Sequence, residues 1–381
     1  MSGIVVAGSG FGGCTAVRAL RRGGYAGPIT LISPAPRLFY YPSLIWVPSG
    51  GRTRAELEVP LEGFFRRHRV TYRPGSVTGL DPGARRLVTD AGEVPYDYLI
   101  VASGGRYLRK LPGIEHAHVA CAGWEPTHAF SERLAALEHG RVAFGFSTNP
   151  NEPVAVRGGP VFEFLLGVDT LLRRQGRRER FTLTFFSPAA RPGARMGEKA
   201  VDQVLGEMAR RGIETHLGHK LRAIEPHRVL TEGGEVASDL TLFIPGLTGP
   251  AWAGESGLPL SPGGFLAADA HCRVAGPDGP VDRVYVAGDA GSFPGPDWMP
   301  KQAHMADLQA TAAARNVIER LAGRPDQHTF RTELICIVDT LTGGTLVYRD
   351  LARGFTLSTR ALHWAKAAFE WQYLRPYRRS A

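Results

Sequence analysis

The stretch from Gly3 to Gly24, "GIVVAGSGFGGCTAVRALRRGG", constrains this chain more than any other. Ile4 to Ala7 form a short continuous apolar run, as expected of a buried parallel strand. Gly8, Gly10 and Gly13 follow at once as G-x-G-x-x-G, and an apolar-periodic helix runs from there to a Gly23-Gly24 stop. The first glycine permits a tight turn, the second lets backbone approach a diphosphate, and the third lets helix and strand pack closely. The helix N-terminus then favours the phosphate charge. Strand before and helix after make this a dinucleotide-binding βα unit.

The second strand, "PITLIS", ends at Ser33, where a carboxylate usually grips a ribose hydroxyl. The missing acid argues against bound NAD here and leaves FAD open, since serine and backbone groups can hold its adenosine. "YDYLIVASGG" (Tyr96 to Gly105) reads as a buried strand ending in small residues. "RVYVAGDAGSFP" (Arg283 to Pro294) reads as another, ending in Gly288-Asp289. A carboxylate there suits a ribityl or ribose hydroxyl; a turn-forming Gly-Asp is the alternative. "PKQAHMADLQATAAARNVIERLAG" is expected to begin a long helix at Pro300-Lys301, placing positive potential where a reduced flavin carries negative charge.

Length and composition narrow the class. A chain of 381 residues, 43% hydrophobic, builds two domains or three small ones. No apolar run approaches the roughly 20 residues that cross a bilayer. The start has neither a basic n-region nor a cleavage site, so the expectation is a protein without a cleavable export signal, on the cytoplasmic side. Net charge is +9, but only five of the 45 basic residues are lysine. No basic stretch is interleaved with aromatics before the extreme C-terminus, so nucleic-acid binding is not expected. Cys14, Cys121, Cys272 and Cys336 lie far apart, without CxxC or zinc spacing. No metal is expected, and any cysteine chemistry is redox or nucleophilic.

Together "GSGFGG", "TLIS", "ASGG" and "AGDA" resemble the two-dinucleotide-binding-domain flavoproteins. Within them, "TLISPAPRLFYYPS" and "MPKQAHMADLQA" resemble the sulfide:quinone oxidoreductases and the flavoprotein subunit of flavocytochrome c sulfide dehydrogenase. "ALHWAKAAFEWQYLRP" looks like the amphipathic tail of the quinone-linked members. The resemblance implies an α/β fold with two Rossmann-like domains, the FAD domain interrupted by a degenerate second one, plus a C-terminal amphipathic region. The expected boundaries are 1–106 and 239–325 for the two FAD-binding halves, 107–238 for the second domain and 326–381 for the membrane and quinone region. It implies FAD at Gly8, Ser9, Gly10, Gly13, Ser33, Ala102, Ser103, Gly104, Gly288, Asp289 and Lys301.

The middle domain lacks the signs of a nicotinamide site. The strand "RVAFGF" ends with Gly145 alone, and the next glycines, Gly158 and Gly159, come thirteen residues later. The following strand, "FTLTFF", runs into Ser187-Pro188 without an acid. A diphosphate has no cradle there, and NADH is not the expected donor.

In the families resembled, a cysteine pair near the flavin takes up sulfide sulfur. Cys336, in "ICIVDTLTGG", matches the C-terminal member, and Cys121, in "HVACAGWEPTHAFSERL", matches a second family cysteine. Taken alone, Cys336 among Ile335, Ile337 and Val338 reads as a core hydrophobe; the resemblance favours a redox role. His128, seven residues after Cys121, is a candidate acid–base partner, with a surface or helix-cap role as the alternative. The family's other core cysteine is missing: just before "GGPVFE" this chain has Arg157. Three outcomes stay open: Cys121 pairs with Cys336, Cys336 works alone through a persulfide or flavin adduct, or sulfide oxidation is lost. Arg157 suits an anion or lowers a neighbouring thiol pKa, with a solvated arginine as the alternative. Glu163 matches a family glutamate and is a candidate proton relay, or else a first-turn carboxylate serving the helix dipole. Cys14 and Cys272 read as packing residues.

Placed on a helix at about 100° per residue, Arg360 to Arg375 set His363, Lys366 and Glu370 on one narrow stripe. Leu362, Trp364, Ala365, Ala368, Phe369, Trp371 and Tyr373 cover the rest, and Pro376 is expected to stop the helix before "YRRS". Such a helix suits a membrane interface, with docking on the body or on a second subunit as the alternative. A quinone would then reach the flavin past Tyr348, Phe355 and Trp364. The function expected is FAD-dependent oxidation of sulfide, or another small sulfur species, with electrons passed to a membrane quinone. The alternatives are donation to a c-type cytochrome, a type-II NADH dehydrogenase, and a non-catalytic FAD-containing sulfur-binding protein. A homo-oligomer stays open.

Overall fold

The computed structural model describes residues 3–378. Its first sheet has strands Arg273–Gly276, Gly279–Val286, Tyr98–Val101, Ile4–Ala7, Ile29–Ser33 and Val70–Pro74 side by side. All but the Arg273–Gly276 edge pair in parallel. Ile4–Ala7 and Tyr98–Val101 are buried throughout, as central strands covered on both faces must be. Helices Phe11–Arg22 and Ala303–Leu321 pack against each other beside this sheet. The return of Gly279–Val286 to Tyr98–Val101 (Val284↔Leu99) shows how the first domain is interrupted.

A second parallel sheet has the order Ala117–His118, Leu240–Ile244, Gly140–Phe146, Phe181–Ser187, Glu214–Leu217. Leu240–Ile244 is wholly buried and pairs with Gly140–Phe146, so this lobe closes beyond the expected boundary at 238. The apolar run "LTLFI" needs cover on both faces and finds it here, not in the first domain.

The two lobes share a device. "VTDAGEV" (Val88 to Val94) and "LTEGGEV" (Leu230 to Val236) each cross the last turn of a three-stranded antiparallel sheet. In both, a threonine hydroxyl donates across the turn to a glycine carbonyl, Thr89 to Gly92 at 2.6 Å and Thr231 to Gly234 at 2.9 Å. Three residues after each valine, an aspartate accepts a backbone N–H at the head of a parallel strand. Asp97 takes that of Gly3 at 2.8 Å, and Asp239 that of Arg141 at 2.9 Å.

The chain ends in an antiparallel sheet of Leu334–Asp339, Gly344–Arg349 and Gly354–Thr359, followed by helix Ala361–Arg378. Strand Leu334–Asp339 lies on helix Gly159–Arg174, which also packs against segment Tyr41–Ser49. Two expected helix ends move. Pro376 sits inside the last turn instead of stopping the helix; beyond it, Arg379 and Ser380 lie outside the described residues. The long helix begins at Ala303, because Gln302 is extended (φ −128°, ψ 157°) and Lys301 is drawn aside to a carbonyl. Among the described residues no helix is long and apolar enough to cross a membrane.

Candidate active site

The glycine turn forms a cradle open on one side. Gly8 has φ +117°, and a Cβ on it would lie 2.2 Å from the Ala102 carbonyl oxygen; one on Gly13 would lie 1.9 Å from that of Gly8. Gly10 meets nothing within 4 Å. Helix Phe11–Arg22 has no acid in its first turn and no side-chain cap at Gly10, so its first N–H groups face an anion site. Ala102, Ser103 and Gly104 follow the neighbouring strand, the Ala102 N–H donating to Ala7 at 2.8 Å. Gly104, at φ +76°, also faces open space. Ser33 is buried and its hydroxyl donates to Ala35 at 2.7 Å, while that of Ser9 donates to Arg37 at 2.8 Å. Both serines fix the rim of the cradle through main-chain carbonyls. These residues fit the diphosphate of a dinucleotide such as FAD.

A pocket opens to solvent beside Gly288, Asp289, Lys301, Gln302 and Gln309. The Gly288 N–H donates to Gln309 at 2.9 Å. Lys301 donates to the Gly291 carbonyl at 2.6 Å and lies 3.8 Å from the centre of the Phe265 ring. Burial pulls its pKa down to about 7, Glu152 opposing this and Arg157 and Arg195 adding to it. Gln302 Oε1 is buried with no hydrogen-bond partner among the described residues, an acceptor that suits a ligand N–H or O–H. The carboxylate of Asp289 is ion-paired with Arg157, a contact that the sequence reading missed.

The loop in place of the second glycine fingerprint works as a brace. Asn149 donates to Leu247 and Gly263 at 2.8 and 3.0 Å. Glu152 accepts from Ser292 at 2.8 Å and from the Gly263 N–H at 3.2 Å. Gly145 and Gly158 make room for rings: a Cβ would lie 2.3 Å from Phe186 on the first and 2.7 Å from Phe146 on the second. These glycines serve aromatic packing.

Cys336 sits on strand Leu334–Asp339 opposite Val347, half-buried; Cys121 is buried in the turn Ala120–Ala122. Both are free thiols. Burial is the main force pushing each pKa up to about 12. The charges acting on Cys336 are Glu163 and then Lys366; those on Cys121 are Arg157 and then Glu163. Glu163 therefore bears on both sulfurs through its charge, raising the pKa of each. It is 5% exposed, accepts the Asp339 N–H at 2.9 Å and is ion-paired with Lys366. Burial raises its pKa against the pull of Lys366.

The stripe on the C-terminal helix turns inward. His363 Nδ1 lies 2.8 Å from Asp339, Lys366 reaches Glu163, and Glu370 accepts from Arg52 at 2.9 Å and Ser43 at 2.5 Å. Trp46 donates to the other oxygen of Asp339 at 3.2 Å. Trp364, Phe369 and Trp371 are left facing outward, 73%, 56% and 58% exposed.

Other expected residues lie apart from this cluster. His128 is half-exposed, 3.3 Å from Glu132 and stacked on Trp124, which is its surface alternative. Tyr348 stacks on Phe355 at 5.3 Å and donates to Asp350 at 2.7 Å. These two rings and Trp364 occupy the C-terminal sheet and the outer face of its helix. Cys14 is buried and donates to the Ser9 carbonyl at 3.3 Å, and Cys272 is buried too.

Two Rossmann-like lobes, a glycine cradle in the first and a pocket beside Lys301 define a two-domain dinucleotide oxidoreductase. The family model of the pyridine nucleotide-disulphide oxidoreductases matches residues 2–310, and the chain belongs to that family. It is 25% identical to the sulfide-quinone reductase of Aquifex aeolicus (strain VF5) over 97% of this chain and 90% of that one. It is 26% identical to the mitochondrial sulfide:quinone oxidoreductase of Dictyostelium discoideum, covering 88% and 75%. The solved sulfide:quinone oxidoreductase from Aquifex aeolicus has the same fold, with TM-score 0.89 at 24% identity over 100% and 92% of the chains. The covalent putidaredoxin reductase–putidaredoxin complex matches less fully, at TM-score 0.70 and 18% identity over 92% and 82%.

Proposed function

We propose that this chain is an FAD enzyme that oxidises sulfide and reduces a quinone at a membrane surface. The observation that carries the reading is the placement of the half-buried Cys336 thiol on the strand that lies against helix Gly159–Arg174, whose Glu163 accepts the Asp339 N–H of that same strand at 2.9 Å. The relatives named for this chemistry span nearly the whole chain. Bound FAD supplies a two-electron acceptor able to pass the pair to a quinone. Gly8, Gly10, Gly13 and the helix behind them hold its diphosphate, and Lys301 and Gln302 line the pocket for its reactive end. The net change at sulfur, H2S to bound zero-valent sulfur, releases two protons and two electrons. Cys336, the less buried thiol, holds the sulfur, and Glu163 receives protons. The outward Trp364, Phe369 and Trp371 rest in the interface of a membrane, with the charged stripe kept on the protein side.

Anaerobic sulfide should bleach the flavin absorbance of the purified protein, and a quinone should restore it. Cys336→Ser should abolish the bleaching. Bleaching by NADH but not by sulfide would replace this reading with an NADH dehydrogenase.

A further inference from the structure

The last helix presents its tryptophans between two arginines. Arg360, Trp364, Ala368, Trp371 and Arg375 are all exposed, and at about 100° per residue they fall within about 80° of arc. The other cations of this segment are engaged: Lys366 is on Glu163, Arg353 is on Asp350, and Arg378 donates to the Glu56 carbonyl at 2.8 Å. Among the described residues Arg360 and Arg375 have no carboxylate partner. The Arg375 guanidinium lies 5.2 Å from the centre of the Trp371 ring, so this cation stays beside the indole at the surface. The segment's two carboxylates are taken. Asp350 accepts from Tyr348 at 2.7 Å and from the N–H groups of Ala352 and Arg353 at 2.8 Å, and Glu370 is buried on Arg52. From Leu351 to Arg378 no carboxylate is exposed. The hairpin Gly344–Thr359, packed beside the helix, adds Leu351, Phe355 and Leu357 at 76%, 50% and 53% exposure.

Two cations about 22 Å apart along a helix, with indole rings between them, select a partner by charge and by form. A second copy of this face, docked about a two-fold axis, would bring no carboxylate to meet either guanidinium. A protein partner would need carboxylates in register with both ends of an apolar strip. A bilayer needs no register: indole rings settle at the headgroup level, and guanidinium groups beside them pair with phosphate oxygens. We propose that this face selects a bilayer carrying net-negative phospholipids, Arg360 and Arg375 holding their headgroups on either side of Trp364 and Trp371. The inference rests on the membrane reading above and adds to it the class of lipid.

Co-sedimentation of the flavin-loaded protein with vesicles of phosphatidylcholine alone, or of phosphatidylcholine with about 30% phosphatidylglycerol, tests this. Each arginine near a negative surface strengthens binding about fivefold, so the two together predict about 25-fold tighter binding to the anionic vesicles at ~0.1 M salt. The preference should vanish at ~1 M salt, where charges are screened within about 3 Å. Arg360→Gln with Arg375→Gln should remove the preference and leave binding to neutral vesicles within about twofold. Arg360→Lys with Arg375→Lys should keep it, which separates charge from shape and from misfolding. Equal binding of the native protein to both kinds of vesicle would overturn the proposal and leave the membrane reading standing, and binding to neither would remove both. A double glutamine variant that keeps the preference would also overturn it. If that variant turns from dimer to monomer in sedimentation as well, the face belongs to a second copy.

Discussion

Replacing Trp364, Phe369 and Trp371 together by alanine tests what the outer face of the last helix is for. Large aromatic side chains present on the order of 200 Å² each. At 73%, 56% and 58% exposure the three leave roughly 370 Å² in water, about 9 kcal/mol at ~25 cal/mol per Å² if all of it were removed. A helix lying in an interface immerses about half its girth, which leaves roughly 4 kcal/mol, or about a thousandfold in partition. Alanine keeps a small part of that, so a loss of at least about a hundredfold is expected in co-sedimentation with phospholipid vesicles. Exposed positions change folding stability by only about ±0.5 kcal/mol, so melting and sulfide-driven bleaching should stay native while turnover with a membrane-embedded quinone falls. Vesicle binding unchanged in the triple variant would refute the orientation argument outright.

Arg52→Ala leaves Glu370 buried without its cation and should cost about 3 kcal/mol in urea unfolding; paired Arg52→Met and Glu370→Met changes should recover most of it. Gly13→Ala drives a methyl into the Gly8 carbonyl, so purified protein should carry little flavin, read as the ratio of visible to ultraviolet absorbance. Asp307, between Thr15 and Tyr373 and near His304 and Arg18, has its carboxyl raised by burial from 3.8 to about 6. A folded-state pKa above the unfolded one gives stability that is fully present below about pH 4 and lost as pH rises through 6. Relative to Asp307→Asn, the native chain should therefore lose about 3 kcal/mol between pH 4 and 7, measured by urea midpoints at each pH.

The glycine cradle was legible because its causes are local: a turn, a close approach and a helix start within eleven residues of Gly3. The thiols and Glu163 were legible as candidates only through family resemblance. What joins them was not, since Lys366 and Glu163 are brought together by tertiary packing that no periodicity encodes. The helical stripe His363, Lys366, Glu370 was correctly drawn but says nothing of which way it faces; the anions Asp339 and Glu163 and the cation Arg52, on three separate segments, decide that. Arg157 on Asp289 was hidden for the same reason. The kinship of the two lobes, by contrast, stood in the open as "VTDAGEV" and "LTEGGEV", each with its aspartate three residues on, and self-comparison of the sequence would have found it.

The final helix has a consequence for how the protein is born. A growing chain folds from its N-terminal end as synthesis proceeds, so both lobes are complete before the last 18-residue helix has left the ribosome. Until then Glu163 and Asp339 wait at an unfinished wall open to water. Arrival of the tail covers these carboxylates and, in the same motion, presents Trp364, Phe369 and Trp371 outward; if that face seeks a bilayer, as proposed above, maturation and delivery are a single event.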